Sequence, residues 1–116
     1  MKLYCFGESG HSYKAALALQ LAEIDWTPIF VDFFNGETRS DRYRNQVNEM
    51  GEAPVLVDGD IKLTQSGVIQ NYLYNRTGKH GGKDEAEKLE ILRWILWDNH
   101  KSVSYTHLTL PTTHDV

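Results

Sequence analysis

Two serines near the N-terminus, Ser9 and Ser12, have the spacing of a redox-active cysteine pair. They lie in a loop between an apolar run and a helical pattern. A hydroxyl cannot form a mixed disulfide, so this loop cannot itself carry out thiol–disulfide exchange. A serine hydroxyl can instead donate a hydrogen bond to a thiolate and so lower the pKa of that thiol. Ser12, followed by Tyr13 and Lys14 in the helical pattern, is the better candidate for the helix N-cap.

A second group of residues suited to binding lies between Gly51 and Leu73. Pro54 precedes the apolar run Val55 to Val57, and proline cannot donate a hydrogen bond to a sheet ladder. We therefore expect Pro54 at the start of a strand, with the Ala53–Pro54 bond as a candidate for the cis form. The backbone of Ala53 is then left to pair with another group.

Farther along the same segment, Gln65 and Ser66 begin a helical pattern. A helix N-terminus has N–H groups without partners inside the helix, and it is the positive end of the helix dipole. Both properties suit a carboxylate ligand. Taken alone, Ser66 would be interpreted simply as an N-cap.

The surrounding pattern predicts an α/β fold. Strands are expected over Lys2 to Phe6, Thr27 to Asp32, Val55 to Val57 and Ile61 to Leu63, with Asp58-Gly59 as a hairpin turn. Helices are expected over Ser12 to Glu23, around Ser40 to Val47 and over Gln65 to Arg76, where Thr77-Gly78 closes the last one. The order β-α-β-α-β-β-α is that of a thioredoxin-like domain.

Two helices are predicted to be amphipathic. In the first helix, the apolar stripe consists of Tyr13, Leu17, Leu21 and Ile24. After a stretch rich in Gly and Lys, a long helix is expected over Asp84 to Lys101, and its apolar face consists of Leu89, Leu92, Ile95 and Leu96.

The serine loop, Ala53-Pro54, the hairpin and Gln65-Ser66 together resemble the glutathione-binding N-terminal domain of soluble glutathione transferases, over Met1 to Lys101. The resemblance implies that Ala53 pairs its backbone with the cysteinyl part of glutathione. It also implies that Gln65 and Ser66 hold the γ-glutamyl carboxylate. Ser9 matches the serine that stabilises the glutathione thiolate in the serine-type members of the family.

This resemblance implies a glutathione transferase, whose bound glutathione thiolate attacks a small hydrophobic electrophile, as in detoxification. Glutathione is then a co-substrate, no metal is needed, and the full-length parent is expected to be a homodimer. Two alternatives stay open. One is a non-catalytic domain that binds glutathione or a protein, and the other is a glutathione-dependent reductase or isomerase.

The expected glutathione site consists of Glu52, Ala53, Pro54, Gln65 and Ser66, and one of these departs from the family pattern. Glu52 stands where a lysine is common, and an acid cannot pair with the glycyl carboxylate of glutathione. One of Arg39, Arg42 or Arg44 must then do so, and the sequence does not distinguish them. The sequence also leaves open whether Ser9 or His11, near which some related classes place a cysteine, is the key group.

The same resemblance divides the chain into a domain over residues 1–77, a linker over 78–83 and the first helix of a truncated helical domain over 84–102. Asp98, Asn99 and His100 lie where that helix passes the mouth of the site, but helix polarity explains them equally well, so no role is assigned.

The segment Val103 to Thr113 has neither a helical nor a strand period. It can be reverse-translated into a transposase-end sequencing adapter, so residues 103–116 are expected to be non-native or disordered. His107 and His114 are therefore discounted as metal ligands. A chain of this kind is expected to be an inactive fragment.

Composition limits the remaining possibilities. The chain has 116 residues, of which 41% are hydrophobic, and this suffices for one core. A net charge of -4 argues against nucleic acid or an anionic membrane as the main partner. The single Cys5 excludes a disulfide scaffold and fits a reducing compartment. With no apolar run of signal or spanning length, we expect a soluble cytoplasmic protein.

Overall fold

The computed structural model of the chain describes residues 1–78 and 82–99. Its central layer is a mixed sheet of four strands: β1 (Lys2–Cys5), β2 (Thr27–Phe30), β3 (Val55–Asp58) and β4 (Ile61–Thr64). In space, the strands follow the order β2-β1-β3-β4. β1 pairs in parallel with β2 and antiparallel with β3, and β3 pairs antiparallel with β4. The expected thioredoxin-like α/β arrangement is thereby confirmed.

Within the described residues, four α-helices accompany the sheet: α1 (Gly10–Leu21), α2 (Asp41–Gln46), α3 (Ser66–Thr77) and α4 (Glu85–Trp97). Ser40 caps α2, because its side chain accepts a hydrogen bond from the Tyr43 backbone N–H. Two short 3-10 helices, Phe33–Asn35 and Glu37–Arg39, precede α2 and were not predicted. They turn the chain through Gly36, which has a positive φ of 85°.

The hydrophobic core lies between the sheet and the helices α1 and α3. Leu3 and Leu56, which face each other across β1 and β3, are fully buried together with Leu19, Ile69 and Leu73. The small residues Ala15 and Ala18 complete the buried face of α1, so this helix can approach its neighbours closely.

The predicted stripe of α1 is therefore wrong for three of its four residues, whereas Ile24, just after the helix, packs against the core. Tyr13 is 66% exposed, and Leu17 and Leu21 are exposed as well. The helix buries Ser12, Ala15, Ala18 and Leu19 instead. Close packing against α3 and the sheet favours the face with the smallest side chains, which a search for large apolar residues does not find.

The hairpin turn lies one residue later than predicted. Asp58 is still a strand residue and pairs with Ile61, so Gly59 and Asp60 form the turn. Gly59 has a φ of 61°, a conformation that glycine adopts at little cost. The Asp58 carboxylate meanwhile accepts a hydrogen bond from the Tyr72 hydroxyl at 2.6 Å, and it pairs with Arg76.

Helix α4 packs on α3 at Gly67. A Cβ atom at Gly67 would lie 3.0 Å from Ile95 Cγ2 and 2.6 Å from Asn99 Nδ2, so any side chain there would displace these two groups. Of the predicted apolar face of α4, Ile95 is buried and Leu92 is half-buried, whereas Leu89 and Leu96 are 66% and 57% exposed. The face is thus covered over only part of its length.

Several expectations fall outside the part of the chain that is described. The residues 79–81 of the predicted linker, His100 and the tail over 103–116 are among them. Over residues 1–78 and 82–99, none of the helices has the length and apolar character needed to cross a membrane.

Candidate functional site

A cavity of about 570 Å³ opens beside the sheet where five parts of the chain meet. These are the loop from β1 to α1, the first 3-10 turn, the approach to β3, the N-terminus of α3 and the end of α4. The structure brings together at this cavity every residue of the predicted site: Ser9, Glu52, Ala53, Pro54, Gln65 and Ser66. His11 and Asn99 line it as well.

Ser9 is the N-cap of α1. Its Oγ accepts a hydrogen bond from the Ser12 backbone N–H at 3.0 Å, and the helix begins at Gly10. The prediction that Ser12 caps this helix is therefore wrong, and Ser12 is buried inside the first turn. An oxygen that accepts this bond still has its own O–H to donate, so capping is compatible with a contact to a ligand in the cavity.

The Ala53–Pro54 peptide bond is cis, which confirms the expectation from sequence. Pro54 is buried and Ala53 is half-buried at the cavity wall. Within the described ranges, the backbone N–H and C=O of Ala53 form no hydrogen bond with another residue. A peptide in the cavity could pair with both groups.

Two buried side chains hold the backbone just before Ala53. The Glu52 carbonyl accepts hydrogen bonds from the Tyr43 hydroxyl at 2.8 Å and from Asn48 Nδ2 at 2.9 Å. Tyr43 is 2% exposed and Asn48 5%. Burial, with a smaller effect of nearby Glu37, raises the pKa of Tyr43 to about 12. Sequence reasoning assigned no role to these two residues, although both lie in the polar segment before Pro54.

A chain of hydrogen bonds at the start of α3 joins three helices. The buried Ser66 hydroxyl donates to Asn99 Oδ1 at 3.2 Å, and Ser66 Oγ lies 3.0 Å from His11 Nδ1. Lys14 Nζ also donates to Asn99 Oδ1, at 3.0 Å, and forms an ion pair with Asp98 at 2.5 Å. The sequence left Asp98 and Asn99 unassigned. Their position relative to Ser66 depends on how α4 packs on α3.

The residue before α3, Gln65, has a positive φ of 74°, which is uncommon for a residue with a side chain. Such conformations cost free energy and concentrate at functional sites. Gln65 Nε2 donates to the Glu52 carboxylate at 3.3 Å. The two residues therefore form adjoining parts of the cavity wall.

The charges around the cavity are mostly negative. Glu8 and Glu52 line it, and no lysine or arginine of the described chain does so. The three arginines proposed for the glycyl carboxylate lie elsewhere: Arg39 lies against Gly36, and Arg44 lies against Gly51 and donates to the Glu49 carbonyl. Arg42 is exposed on α2.

Three phenylalanines form an apolar wall of the cavity. The rings of Phe6 and Phe33 are stacked with their centroids 4.6 Å apart. Phe34 packs edge-on against both rings and is 70% exposed. Cys5 does not line the cavity. It packs against the core, and burial raises the pKa of its thiol.

Comparison with known proteins gives a consistent result for the N-terminal part of the chain. Residues 1–75 match the family described as glutathione S-transferase, N-terminal domain. Glutathione S-transferase F14 of Arabidopsis thaliana is 32% identical over 105 residues, which cover 87% of this chain and 41% of the relative. The disulfide-bond oxidoreductase YfcG of Escherichia coli (strain K12) is 29% identical over 100 residues, which cover 79% of this chain and 46% of the relative.

Solved structures show the same similarity. A possible glutathione S-transferase from Rhodopseudomonas palustris has a TM-score of 0.79 at 28% identity, over 94% of this chain and 55% of that one. Ure2p in complex with glutathione has a TM-score of 0.75 at 24% identity, over 84% of this chain and 44% of that one. This chain thus spans less than two thirds of the length of each of these proteins.

We predict that Tyr43→Phe destabilises the fold in a pH-dependent way. At neutral pH, losing the bond to the Glu52 carbonyl should lower the free energy of unfolding by about 0.5–1.5 kcal/mol. The pKa of Tyr43 is higher in the folded chain than in the unfolded chain. The contribution of Tyr43 to the free energy of unfolding is therefore fully present below about pH 10, and it is lost as the pH rises through about 12. Urea unfolding near pH 7 and near pH 11 should show the difference between wild type and variant shrinking at the higher pH.

The matched control for this experiment is Tyr13→Phe, because Tyr13 is 66% exposed on α1. This variant should match the wild type at both pH values. A loss in Tyr43→Phe that is the same near neutral and alkaline pH would contradict the assigned role of burial.

Proposed function

Because the chain belongs to the family of glutathione S-transferase N-terminal domains, we propose that its cavity binds glutathione and activates the thiol for transfer to an electrophile. The observation that carries this proposal is the meeting of three features in one cavity. These are the unpaired backbone at Ala53, the N-terminus of α3 at Ser66 and the hydroxyl of Ser9.

In this proposal, glutathione lies extended along the approach to β3. Its cysteinyl unit pairs with the backbone of Ala53, whose position depends on the two hydrogen bonds to the Glu52 carbonyl. The γ-glutamyl carboxylate lies at the start of α3, where N–H groups and the helix dipole favour an anion. Ure2p, a structural neighbour with the same fold, has been solved in complex with glutathione.

The glycyl carboxylate would lie toward Glu52, where no cation lines the cavity in the described residues. Arg39, Arg42 and Arg44 remain the proposed partners, and Arg44 lies nearest in the chain to that end of the site. An exposed arginine can change rotamer at modest cost to reach a carboxylate.

The proposed chemistry is nucleophilic substitution or addition by the glutathione thiolate. Ser9 donates its O–H to the thiolate sulfur, which lowers the pKa of the bound thiol. The thiolate then forms the new bond to an electrophilic carbon, and the leaving group departs with its electron pair. The wall of Phe6, Phe33 and Phe34 favours a small hydrophobic electrophile.

The similarity to a disulfide-bond oxidoreductase supports a second candidate function. Since no protein thiol lines the cavity in the described residues, glutathione would have to supply both thiols. One glutathione thiolate would attack a disulfide, and a second glutathione would resolve the mixed disulfide, giving oxidised glutathione and two thiols. Assays of the full-length parent with a nitroaryl halide and with a small disulfide distinguish the two candidates.

A homodimer and a reducing, cytoplasmic location complete the proposal. The exposed Leu89 and Leu96 leave an apolar face on α4 that a second copy could cover. Cys5 is a free thiol, which suits a reducing compartment.

The first test is binding of glutathione to the 116-residue chain. Titration followed by two-dimensional NMR should shift the backbone amide signals of Ala53, Gln65 and Ser66, since all three line the cavity. The amide of Gly59, in the hairpin turn, should not move. Shifts confined to other residues, or no saturable shift, would remove the proposed site.

The second prediction concerns the thiol. With Ser9→Ala, the pKa of the bound glutathione thiol should rise by about one unit, because the lost hydrogen bond from the Ser9 hydroxyl stabilises the charged thiolate. Thiolate ultraviolet absorbance of the complex as a function of pH measures this shift.

Loss of the N-cap is a separate consequence of this substitution, at about 1 kcal/mol of stability. Ser9→Thr keeps both the cap and the hydroxyl and should restore the thiol pKa. His11→Ala should raise the thiol pKa less than Ser9→Ala does. The reverse order would make His11 the key group.

The third prediction is that the chain associates with itself through α4. Sedimentation velocity should show a dimer or larger species at micromolar concentration, and the double variant Leu89→Lys, Leu96→Lys should shift it toward monomer. Phe30→Lys is the control, because Phe30 is 71% exposed on the edge strand β2. A monomeric wild-type chain, or equal effects of both changes, would refute the interface.

A further inference from the structure

The end of α4 supplies the cavity with an amide group that α1 and α3 hold in one orientation. We propose that Asn99 is a glutathione-binding residue, which donates from Nδ2 to the α-carboxylate of the γ-glutamyl group. Lys14 is its positioning residue. This inference rests on the proposed glutathione site. It adds Asn99 to that site, a residue that lies beyond the residues 1–75 that match the family.

The orientation of the Asn99 amide follows from its neighbours. A lysine ammonium can only donate hydrogen bonds, so the Asn99 atom 3.0 Å from Lys14 Nζ must be the oxygen. The Ser66 hydroxyl approaches the same oxygen at 3.2 Å. The two N–H groups on Nδ2 therefore point away from Lys14, and no described residue accepts a hydrogen bond from them.

Asn99 Nδ2 lies beside the first turn of α3. The nitrogen is 2.6 Å from the place that a Cβ atom of Gly67 would occupy, and Gly67 follows Ser66 at the start of the helix. Backbone N–H groups of this turn have no acceptor within the helix. An anion bound there could accept from these groups and from the Asn99 amide together.

Ser66 itself has no hydrogen left for the carboxylate in this arrangement. Its single hydroxyl hydrogen is donated to Asn99 Oδ1. The Ser66 hydroxyl oxygen lies 3.0 Å from His11 Nδ1, where the tautomer of the imidazole sets which group donates. A side-chain donor to the carboxylate must come from elsewhere, and Asn99 is placed to be that donor.

Lys14 keeps the amide in place. Its side chain is 16% exposed, and its ammonium contacts both Asp98 at 2.5 Å and Asn99 at 3.0 Å. The ion pair fastens the end of α4 to α1, while the bond to Oδ1 disfavours the flipped amide. Lys14 does not line the cavity, so it acts through Asn99.

Asn99→Asp isolates the Nδ2 donor, because aspartate keeps the oxygen that Lys14 and Ser66 contact but replaces the N–H groups with a carboxylate oxygen. Calorimetric titration of the full 116-residue chain would use two probes. One is glutathione, and the other is 4-aminobutyryl-cysteinyl-glycine, which lacks only the α-carboxylate. We expect the variant to lose at least about tenfold in affinity for glutathione and to bind the second probe as the wild type does.

Asn75→Asp, which adds the same charge on the exposed part of α3, should leave both affinities unchanged. Lys14→Met should weaken glutathione binding by a smaller factor, and Lys14→Arg should restore it. If Asn99→Asp binds glutathione like the wild type, or weakens both probes equally, the direct contact is refuted. A Lys14→Met variant with wild-type affinity would refute the positioning role.

The last measurement uses only the wild-type chain, so its result does not depend on whether a variant folds. In the wild-type chain, the side-chain NH₂ signals of Asn99 should shift with glutathione and not with the probe that lacks the α-carboxylate. Equal shifts with both probes, or none, would overturn the inference. Failure of the wild-type chain to bind glutathione at all would instead refute the proposed function from which the inference starts.

Discussion

The buried hydroxyl of Ser66 is the group on which the arrangement of the cavity depends. A polar group that is only 3% exposed must have partners, and Ser66 finds one on α1 and another at the end of α4. The hydrogen bonds therefore set three helices relative to one another at the point where a ligand carboxylate would bind. Gly67 makes this possible, because any side chain there would push Asn99 away.

The opposite wall of the cavity depends on a second set of buried hydrogen bonds. The Glu52 carbonyl has two lone pairs, and Tyr43 and Asn48 donate to it together. Because α2 carries Tyr43 and the loop after it carries Asn48, a segment with little regular structure becomes a rigid support for Ala53 and the cis-proline. The backbone at Ala53 is thus positioned by residues behind it, while its own N–H and C=O have no partner among the described residues.

The two walls differ in what they offer to a ligand. The start of α3 presents hydrogen-bond donors, the approach to β3 presents a peptide edge, and the phenylalanines of the first 3-10 turn present an apolar surface. A ligand that matches all three has a carboxylate, a peptide unit and an apolar substituent or partner. Glutathione joined to a hydrophobic electrophile has this composition, which is why the proposed reaction and the shape of the site agree.

The sequence by itself determined the strands, the short helix α2, the cis-proline and the start of α3. The cis bond and the strand after it depend on the missing N–H of Pro54 and the β-branched run that follows, and α2 has the side-chain cap Ser40. The sequence misled where two nearby residues could play the same role. Ser9 and Ser12 can both cap a helix, and only the burial of Ser12 shows that Ser9 is the cap. Tertiary structure alone decided which face of α1 is buried. It also brought Asn99 to Ser66 and to Lys14, which are 33 and 85 positions away in the sequence. Such contacts depend on how closely the helices pack, and no local sequence pattern encodes the distance between helices.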